Sequence, residues 1–213
     1  MFNKNEIEQQ VAEFLLQIKA IKLQPDNPFT WASGWKAPIY CDHRIVLSHP
    51  TIRTYIRQKL AQLIQEEYGS VGCIAGVATA GIPWGALVAQ DLGAPFIYVR
   101  SKPKEHGMGN MIEGEIMPGK RVVVIEDLIS TGKSSLQAVE ALRDAGFELA
   151  GLAAIFSYEF EAATRNFQEA KCKFYTLSNY SALLKYAEEH RQISAKDTIL
   201  LEKWRITPET WGQ

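Results

Sequence analysis

The stretch RVVVIEDLISTGKSS, residues 121–135, is the most informative part of the sequence. It begins with four consecutive β-branched residues, 122–125, which predict a strand buried in a parallel sheet. Two carboxylates, Glu126 and Asp127, follow at once, and the small polar residues of 130–135 indicate a tight turn that opens into a helix. Because open α/β folds bind ligands at the carboxyl ends of their strands, this edge is the first candidate site.

Two chemical features of this stretch indicate a ribose 5-phosphate ligand. The two acids can accept hydrogen bonds from sugar hydroxyls. The loop after them lies at a helix N-terminus, where unpaired backbone N–H groups hold phosphates. Two other interpretations stay open at this point. One is a P-loop, of which only Gly132-Lys133-Ser134 matches, because position 127 is Asp where that motif needs glycine. The other is a purely structural strand, acidic turn and capped helix.

The composition is that of an ordinary globular protein. Its 213 residues are 46% hydrophobic and 22% charged, which predicts a single domain over residues 1–213 with a sizeable core. A net charge of −1 gives the protein no overall positive electrostatic potential that would attract nucleic acid or a membrane surface. Neither is therefore expected as a partner. The widely separated Cys41, Cys73 and Cys172 indicate reduced thiols and a cytoplasmic location. No signal peptide is recognisable, and no apolar run approaches the ~18 residues of a transmembrane helix.

Helix and strand patterns alternate along the rest of the chain and predict an α/β fold with a mainly parallel sheet flanked by helices. Residues 3–21 and 50–68 carry apolar side chains at helical spacing, whereas 71–77 and 94–99 resemble strands. The small residues ATAGIP at 78–83 follow one of these strands and would let the backbone approach a ligand closely. A simple strand-to-helix turn without a ligand is the alternative.

Two segments combine cations with features suited to anionic ligands. Residues 29–44, FTWASGWKAPIYCDHR, place Lys36 and Arg44 among aromatic rings, which suits a flat anion, although a hairpin covering the core fits the same letters. Residues 100–110, RSKPKEHGMGN, carry cations at 100, 102, 104 and 106 in a glycine-containing stretch. Such a loop would be mobile and could close over a polyanion such as pyrophosphate. An ordinary solvated loop is the alternative.

These motifs resemble those of the type I phosphoribosyltransferases and, within them, the orotate phosphoribosyltransferases. Residues 122–132 contain, in order, an apolar run, two acids, two apolar residues and a Ser/Thr/Gly loop. This order is similar to the phosphoribosyl-pyrophosphate signature of the larger group. SGWKAPIY at 33–40 is similar to the Ser-Gly-x-Lys-x-Pro-x-Tyr hood of the orotate enzymes, and RSKPKEHG at 100–107 to their catalytic lid. The resemblance covers nearly the whole chain.

The resemblance implies a fold and a reaction. The fold is the type I phosphoribosyltransferase fold, with a hood at about residues 22–48 plus the N-terminal helix, and a core at about residues 50–213. The reaction is that of a pentosyltransferase, moving the phosphoribosyl group from phosphoribosyl pyrophosphate to orotate in UMP biosynthesis, with Mg²⁺ as cofactor and no protein residue assigned as its ligand. Because the family's lid reaches into the neighbouring subunit's site, a homodimer is implied.

The resemblance also implies roles for individual residues. Glu126 and Asp127 would hold the ribose hydroxyls, and Asp127 would assist proton movement. Lys104 and His106 would be catalytic, closing over the pyrophosphate. The substrate-binding residues would be Lys36 and Tyr40 on the base side, Thr79 at the pyrophosphate loop, Arg100 and Lys102 in support of the lid, and Ser130, Thr131, Gly132, Lys133 and Ser134 around the 5′-phosphate.

The sequence departs from the family pattern at two places. Ala80 stands where some members carry a lysine, so binding there should depend on backbone N–H groups and Thr79. Some members carry an arginine for the orotate carboxylate after the strand that ends near Phe156. Here none follows until Arg165, which leaves Arg44 and Arg165 as candidates. Two alternative functions fit the same fold: a phosphoribosyltransferase for another base, and a non-catalytic nucleotide sensor that binds RNA.

Overall fold

The computed structural model describes residues 3–31, 33–102 and 111–211. The helices are α1 (Lys4–Gln17), α2 (Pro50–Tyr68), α3 (Gly81–Leu92), α4 (Lys133–Asp144), α5 (Glu161–Glu169), α6 (Tyr180–Glu189) and α7 (Ala195–Ile206). The strands are β1 (Ile21–Leu23), β2 (Phe29–Thr30), β3 (Lys36–Ala37), β4 (Ile39–Cys41), β5 (Cys73–Val77), β6 (Phe96–Val99), β7 (Ile112–Glu113), β8 (Arg121–Ile129), β9 (Glu148–Ser157) and β10 (Phe174–Asn179). A 3-10 helix, His43–Ser48, precedes α2.

A six-stranded sheet in the order β10-β9-β8-β5-β6-β7 forms the centre of the molecule. Its neighbouring strands are parallel except for β6 and β7, which pair antiparallel at one edge. The chain runs outward from β5 to β6 on one side and from β8 through β9 to β10 on the other. The direction of winding therefore reverses between β5 and β8, and the loops after these two strands border the crevice where such sheets bind ligands.

The sheet is covered on both faces, which explains why its central strands are apolar throughout. All five residues of β5 are buried, as are residues 122–126 of β8. Buried residues of α4 and α5 form a core with one face of the sheet, and those of α1, α2, α3, α6 and α7 form a core with the other. Parallel strands need this double cover because neither face can be left in water.

Residues 21–31 and 33–48 form a small layer built from the antiparallel pairs β1–β4 and β2–β3 and the 3-10 helix. We call this layer the hood, after the segment predicted at about residues 22–48. Trp204 of α7 holds this layer in place, because its Nε1 donates to the carbonyl oxygen of Lys36 at 3.2 Å. The Trp204 ring also meets Trp31 edge-on, with 5.6 Å between ring centroids. Trp31 in turn contacts Tyr158 at 5.3 Å. The C-terminal helix therefore connects the hood to the core, a role that its sequence pattern did not predict.

Element boundaries differ from the predicted ones where strand pairing overrides the local pattern. Helix α1 ends at Gln17, because Ile21 pairs with Cys41 in the hood instead of continuing the helix. Strand β8 runs through both acids to Ile129, because it stays paired with β9 along this length. The two acids therefore lie inside the strand near its carboxyl end and not in the turn after it.

Two predictions about the whole chain can be compared with the structure. Across the residues that the structure describes, no helix is both long enough and apolar enough to cross a membrane. The three cysteines are free thiols, as their separation predicted. Burial raises the pKa of Cys73 and Cys172 to about 11 and that of Cys41 to about 12, so all three stay protonated near neutral pH.

Candidate active site

The two acids of β8 are adjacent in sequence but differ in environment. Glu126 is 5% exposed, and its Oε2 accepts a hydrogen bond from Ser135 Oγ at 3.2 Å. Burial, and secondly the charge of Asp127, raise the pKa of Glu126 well above its usual value. The Asp127 side chain is 18% exposed, on the opposite face of the strand. One acid is thus held against α4, while the other is accessible from the crevice.

His43, the first residue of the 3-10 helix, lies beside Asp127. Its ring is 1% exposed and packs against Phe156, with 5.8 Å between ring centroids. Its Nδ1 lies 3.8 Å from Asp127 Oδ2. Burial lowers the pKa of His43, and the negative charge of Asp127 opposes this effect only in part. The hood therefore brings a neutral imidazole to the wall of the crevice at ordinary pH.

The loop between β8 and α4 borders a cavity of about 300 Å³. The cavity is lined by all the residues predicted to bind phosphate: Ser130, Thr131, Gly132, Lys133 and Ser134. Gly132 has φ of +79°, and a Cβ there would lie 2.5 Å from the Phe167 ring of α5, so glycine is required. No side chain caps the start of α4 within the described residues. The N–H groups of its first turn are therefore available to an anion.

The loop between β5 and α3 approaches the same crevice. Thr79 lies in this turn, and the start of α3 also has no side-chain cap among the described residues. A Cβ on Gly81 would lie 2.4 Å from the Ile125 carbonyl oxygen, and one on Gly76 would lie 2.7 Å from the Gly81 carbonyl oxygen. These two glycines allow α3 to pack directly against β5 and β8. As a result, the N-termini of α3 and α4 both border the edge of the sheet that carries the acids.

The described part of the predicted lid begins at the end of β6. Arg100 Nη1 lies 3.6 Å from Glu113 Oε1 of β7, and Lys102 is exposed. Because β6 is the neighbour of β5, Arg100 leaves the sheet at the same edge as Thr79. Lys104 and His106 lie outside the described residues, so their role stays a prediction.

The base-side residues Lys36 and Tyr40 make contacts within the hood. Lys36 Nζ donates to Thr30 Oγ1 at 2.9 Å across the β2–β3 hairpin. Tyr40 is 39% exposed, and its ring lies 5.5 Å from that of Phe29. The hairpin predicted as the plain alternative for this segment is therefore present, and binding of a base by these two residues stays a prediction.

The two candidate partners for a substrate carboxylate differ in their contacts. Arg44 forms two side-chain hydrogen bonds with Asp42, at 2.7 Å and 3.0 Å. Arg165 is an exposed residue of α5 that lines a cavity of about 270 Å³ with Trp35 of the hood and Thr131 of the loop between β8 and α4. Arg165 therefore lines a cavity that reaches the β8–α4 loop, whereas Arg44 already has an anionic partner in Asp42.

Comparison with known proteins identifies the family. A model of the phosphoribosyl transferase domain matches residues 44–188. The chain is 55% identical over 202 residues to the orotate phosphoribosyltransferase of Porphyromonas gingivalis, covering 95% of this chain and 96% of that protein. It is 52% identical over 207 residues to the orotate phosphoribosyltransferase of Listeria innocua, covering 97% of this chain and 99% of that protein. The chain belongs to the orotate phosphoribosyltransferase family.

The fold agrees with that of a solved orotate phosphoribosyltransferase. The crystal structure of the enzyme from Aeropyrum pernix matches with a TM-score of 0.73 and 25% sequence identity, covering 86% of this chain and 99% of that chain. The predicted type I phosphoribosyltransferase fold is therefore confirmed, as is the family resemblance drawn from the motifs. The P-loop interpretation of Gly132-Lys133-Ser134 is wrong.

Three residues that contact this candidate site were not predicted from the sequence: His43, Asn166 and Phe167. Asn166 Nδ2 donates to the Thr131 carbonyl oxygen at 2.9 Å, and the Phe167 ring packs against Gly132. No spacing rule connects a residue of α5 with a loop 35 positions earlier. The contact exists because β9 and α5 return the chain to the same edge of the sheet, which only the folded topology reveals.

Proposed function

We propose that the chain transfers the 5-phosphoribosyl group from phosphoribosyl pyrophosphate to orotate, giving orotidine 5′-monophosphate and pyrophosphate in pyrimidine biosynthesis. The observation that carries this proposal is that Glu126 and Asp127 lie beside the N-termini of α3 and α4 where the sheet's winding reverses between β5 and β8. Within the described part of the chain, no side chain caps either helix start. Acids next to two anion-binding helix ends match a ribose ring that carries a phosphate at each end.

The proposed chemistry breaks the anomeric C–O bond of the ribose while the pyrophosphate leaves. The loop at 130–134 would hold the 5′-phosphate, and Asp127 would accept hydrogen bonds from the ribose hydroxyls. As positive charge grows on the ribose ring, the carboxylate of Asp127 stabilises it electrostatically. The backbone at 79–81 and the cations of the lid would stabilise the negative charge that develops on pyrophosphate.

Mg²⁺ fits this site as a cation that arrives with the substrate. The described residues contain no group of three or more acidic, histidine or cysteine side chains that could hold a metal ion. Phosphate oxygens supply most Mg²⁺ ligands in sites of this kind, so few protein ligands are needed. When bound, Mg²⁺ would neutralise charge on the leaving pyrophosphate.

The functional assay follows the absorbance of orotate after addition of phosphoribosyl pyrophosphate. We expect a loss of orotate absorbance that needs Mg²⁺ and stops when the metal is chelated. Uracil and purine bases in place of orotate test the choice of base, because the hood residues, and not the phosphate loop, would set it. Turnover of another base with none of orotate would contradict the proposal.

We further propose that Arg165 pairs with the orotate carboxylate. Its place in the cavity shared with Trp35 and Thr131 supports this role, whereas the Arg44 guanidinium is occupied by Asp42. Arg165→Ala should raise the KM for orotate about tenfold, the effect of losing one charged hydrogen bond, with little change in the KM for phosphoribosyl pyrophosphate. Arg44→Ala is the matched control; a larger effect of Arg44→Ala would reverse the assignment.

We also infer a homodimer whose lid, with Lys104 and His106, completes the neighbouring subunit's site, and an enzyme that works in the cytoplasm. Family membership supports the dimer. Three free, protonated thiols support a reducing compartment. Sedimentation of the purified chain tests the oligomer, and cell fractionation tests the location; a monomer with full turnover would contradict the shared lid.

A further inference from the structure

Helix α5 supports the phosphate loop at two consecutive residues. Asn166 Nδ2 donates a hydrogen bond to the Thr131 carbonyl oxygen at 2.9 Å, from a partly buried position. The next residue, Phe167, is 1% exposed, and its ring lies against Gly132 so closely that a Cβ on that glycine would be 2.5 Å away. The Thr131–Gly132 peptide is therefore fixed from one side by a hydrogen bond and by a packed ring.

The orientation of one peptide group follows from this contact. The peptide bond between Thr131 and Gly132 is trans. In a trans peptide the C=O and N–H vectors point in opposite directions. Because Asn166 holds the Thr131 carbonyl toward α5, the N–H of Gly132 points away from α5, on the side of the loop opposite this helix.

We propose that Asn166 is a positioning residue for phosphate binding. By holding the Thr131 carbonyl, it presents the Gly132 N–H to the 5′-phosphate and keeps the carbonyl oxygen away from it. Gly132 has φ of +79° and no Cβ, so its flanking peptide can rotate more freely than that of another residue. Without Asn166 the peptide could turn and place a carbonyl oxygen where the N–H stood, which would repel a phosphate. This inference rests on the proposed function, since it names a residue that acts on the same site through the loop.

Two variants of Asn166 and one neighbour test the proposal. Asn166→Ala removes the donor, and Asn166→Asp keeps the shape but replaces the amide with a carboxylate that cannot donate when ionised. Gln168→Ala is the matched control, because Gln168 is an exposed residue two positions further along α5. Calorimetric titration would measure binding of ribose 5-phosphate and, separately, of inorganic pyrophosphate with Mg²⁺. The melting temperature of each variant would be measured in parallel.

We expect both Asn166 variants to bind ribose 5-phosphate about tenfold more weakly, the usual effect of one hydrogen bond to a charged group. Pyrophosphate binding should not change, since it depends on the α3 loop, and Gln168→Ala should match the original protein for both ligands. Unchanged ribose 5-phosphate binding, or an equal loss for both ligands, would overturn the role of Asn166. If the unmodified protein itself failed to bind ribose 5-phosphate, the proposed function would fail first, so the two failures can be told apart.

Discussion

Glu126, which the resemblance assigns to the ribose hydroxyls, has a measurable cost in stability at high pH. Its carboxyl is buried beside Asp127, and both effects raise its pKa above the ordinary value of 4.5. The folded chain therefore binds this proton more tightly than the unfolded chain does. The contribution of the group to the free energy of unfolding is complete below the ordinary pKa and is lost as the pH rises through the raised pKa.

Glu126→Gln should consequently stabilise the protein at higher pH. The amide is neutral at every pH, so the variant avoids the cost of an ionised buried group. We expect its melting temperature to exceed that of the original protein by about 2–4 °C near pH 8, the shift that roughly 1 kcal/mol produces in a chain of this size, with a smaller difference near pH 5. Scanning calorimetry at the two pH values measures this, with the exposed Glu115→Gln as control. A difference that did not grow with pH would contradict the expected burial effect.

Residues of the site could be predicted when their chemistry was local in sequence. Glu126, Asp127 and the loop at 130–134 follow one another along the chain, so the strand, the acids and the loop could be recognised together. His43 and Asn166 could not be recognised in this way. Each touches the site only because a distant element returns to it: the hood in one case and α5 in the other.

At the scale of elements, the close packing of α3 against β8 determines where the two helix N-termini lie. Gly81 is the point of contact, since a Cβ there would meet the Ile125 carbonyl oxygen at 2.4 Å. Backbone atoms on both sides leave no flexible side chain to move aside. The helix would have to shift away from the strand, and the turn containing Thr79 would shift with it.

Gly81→Ala should therefore destabilise the fold and reduce activity. We expect a loss of about 3 kcal/mol in the free energy of unfolding, at the upper end for overpacking. Gly93→Ala at the end of the same helix is the control: its φ is +61°, but nothing lies within 4 Å of the added Cβ. That change should cost about 1 kcal/mol from backbone strain alone. Urea denaturation measures both; equal losses would show that the contact with Ile125 is not important.

The elements themselves were predicted well where local pattern and pairing agree, as in α2, which begins at Pro50 and ends at Tyr68 in both prediction and structure. They were predicted poorly where pairing decides. The end of β8 is set by its pairing with β9, and the existence of β1 is set by its pairing with β4. The residue pattern of a single segment contains no information about its pairing partner.

At the scale of the whole molecule, the hood and the core share a hydrophobic cluster. One contiguous set of buried residues includes Ile7 of α1, Ile39 of the hood, Ile125 of the sheet and Trp204 of α7. We infer from this that residues 1–213 unfold as one domain. The calorimetric scans of the Glu126 experiment also test this inference, because two separate transitions would contradict it.

The proposed shared lid can be tested by mixing inactive subunits. Lys104→Ala should reduce turnover about a hundredfold, which is the typical effect of removing one well-placed donor. Asp127→Asn should inactivate the site of the subunit that carries it. If each lid serves the neighbouring site, a mixed dimer contains one site with both residues intact. Co-refolded equal amounts should then regain about a quarter of the original activity, since half of the dimers are mixed and each has one working site. No recovery in verified mixed dimers would show that the lid serves its own subunit.

We propose that the sugar phosphate binds where β8 ends, between its acids and the start of α4. A crystal structure of the protein with orotidine 5′-monophosphate would show whether it does. We expect the 5′-phosphate on the backbone N–H groups of residues 130–134 and the ribose hydroxyls within hydrogen-bond distance of Asp127 or Glu126. A nucleotide bound elsewhere, with this crevice empty, would contradict it.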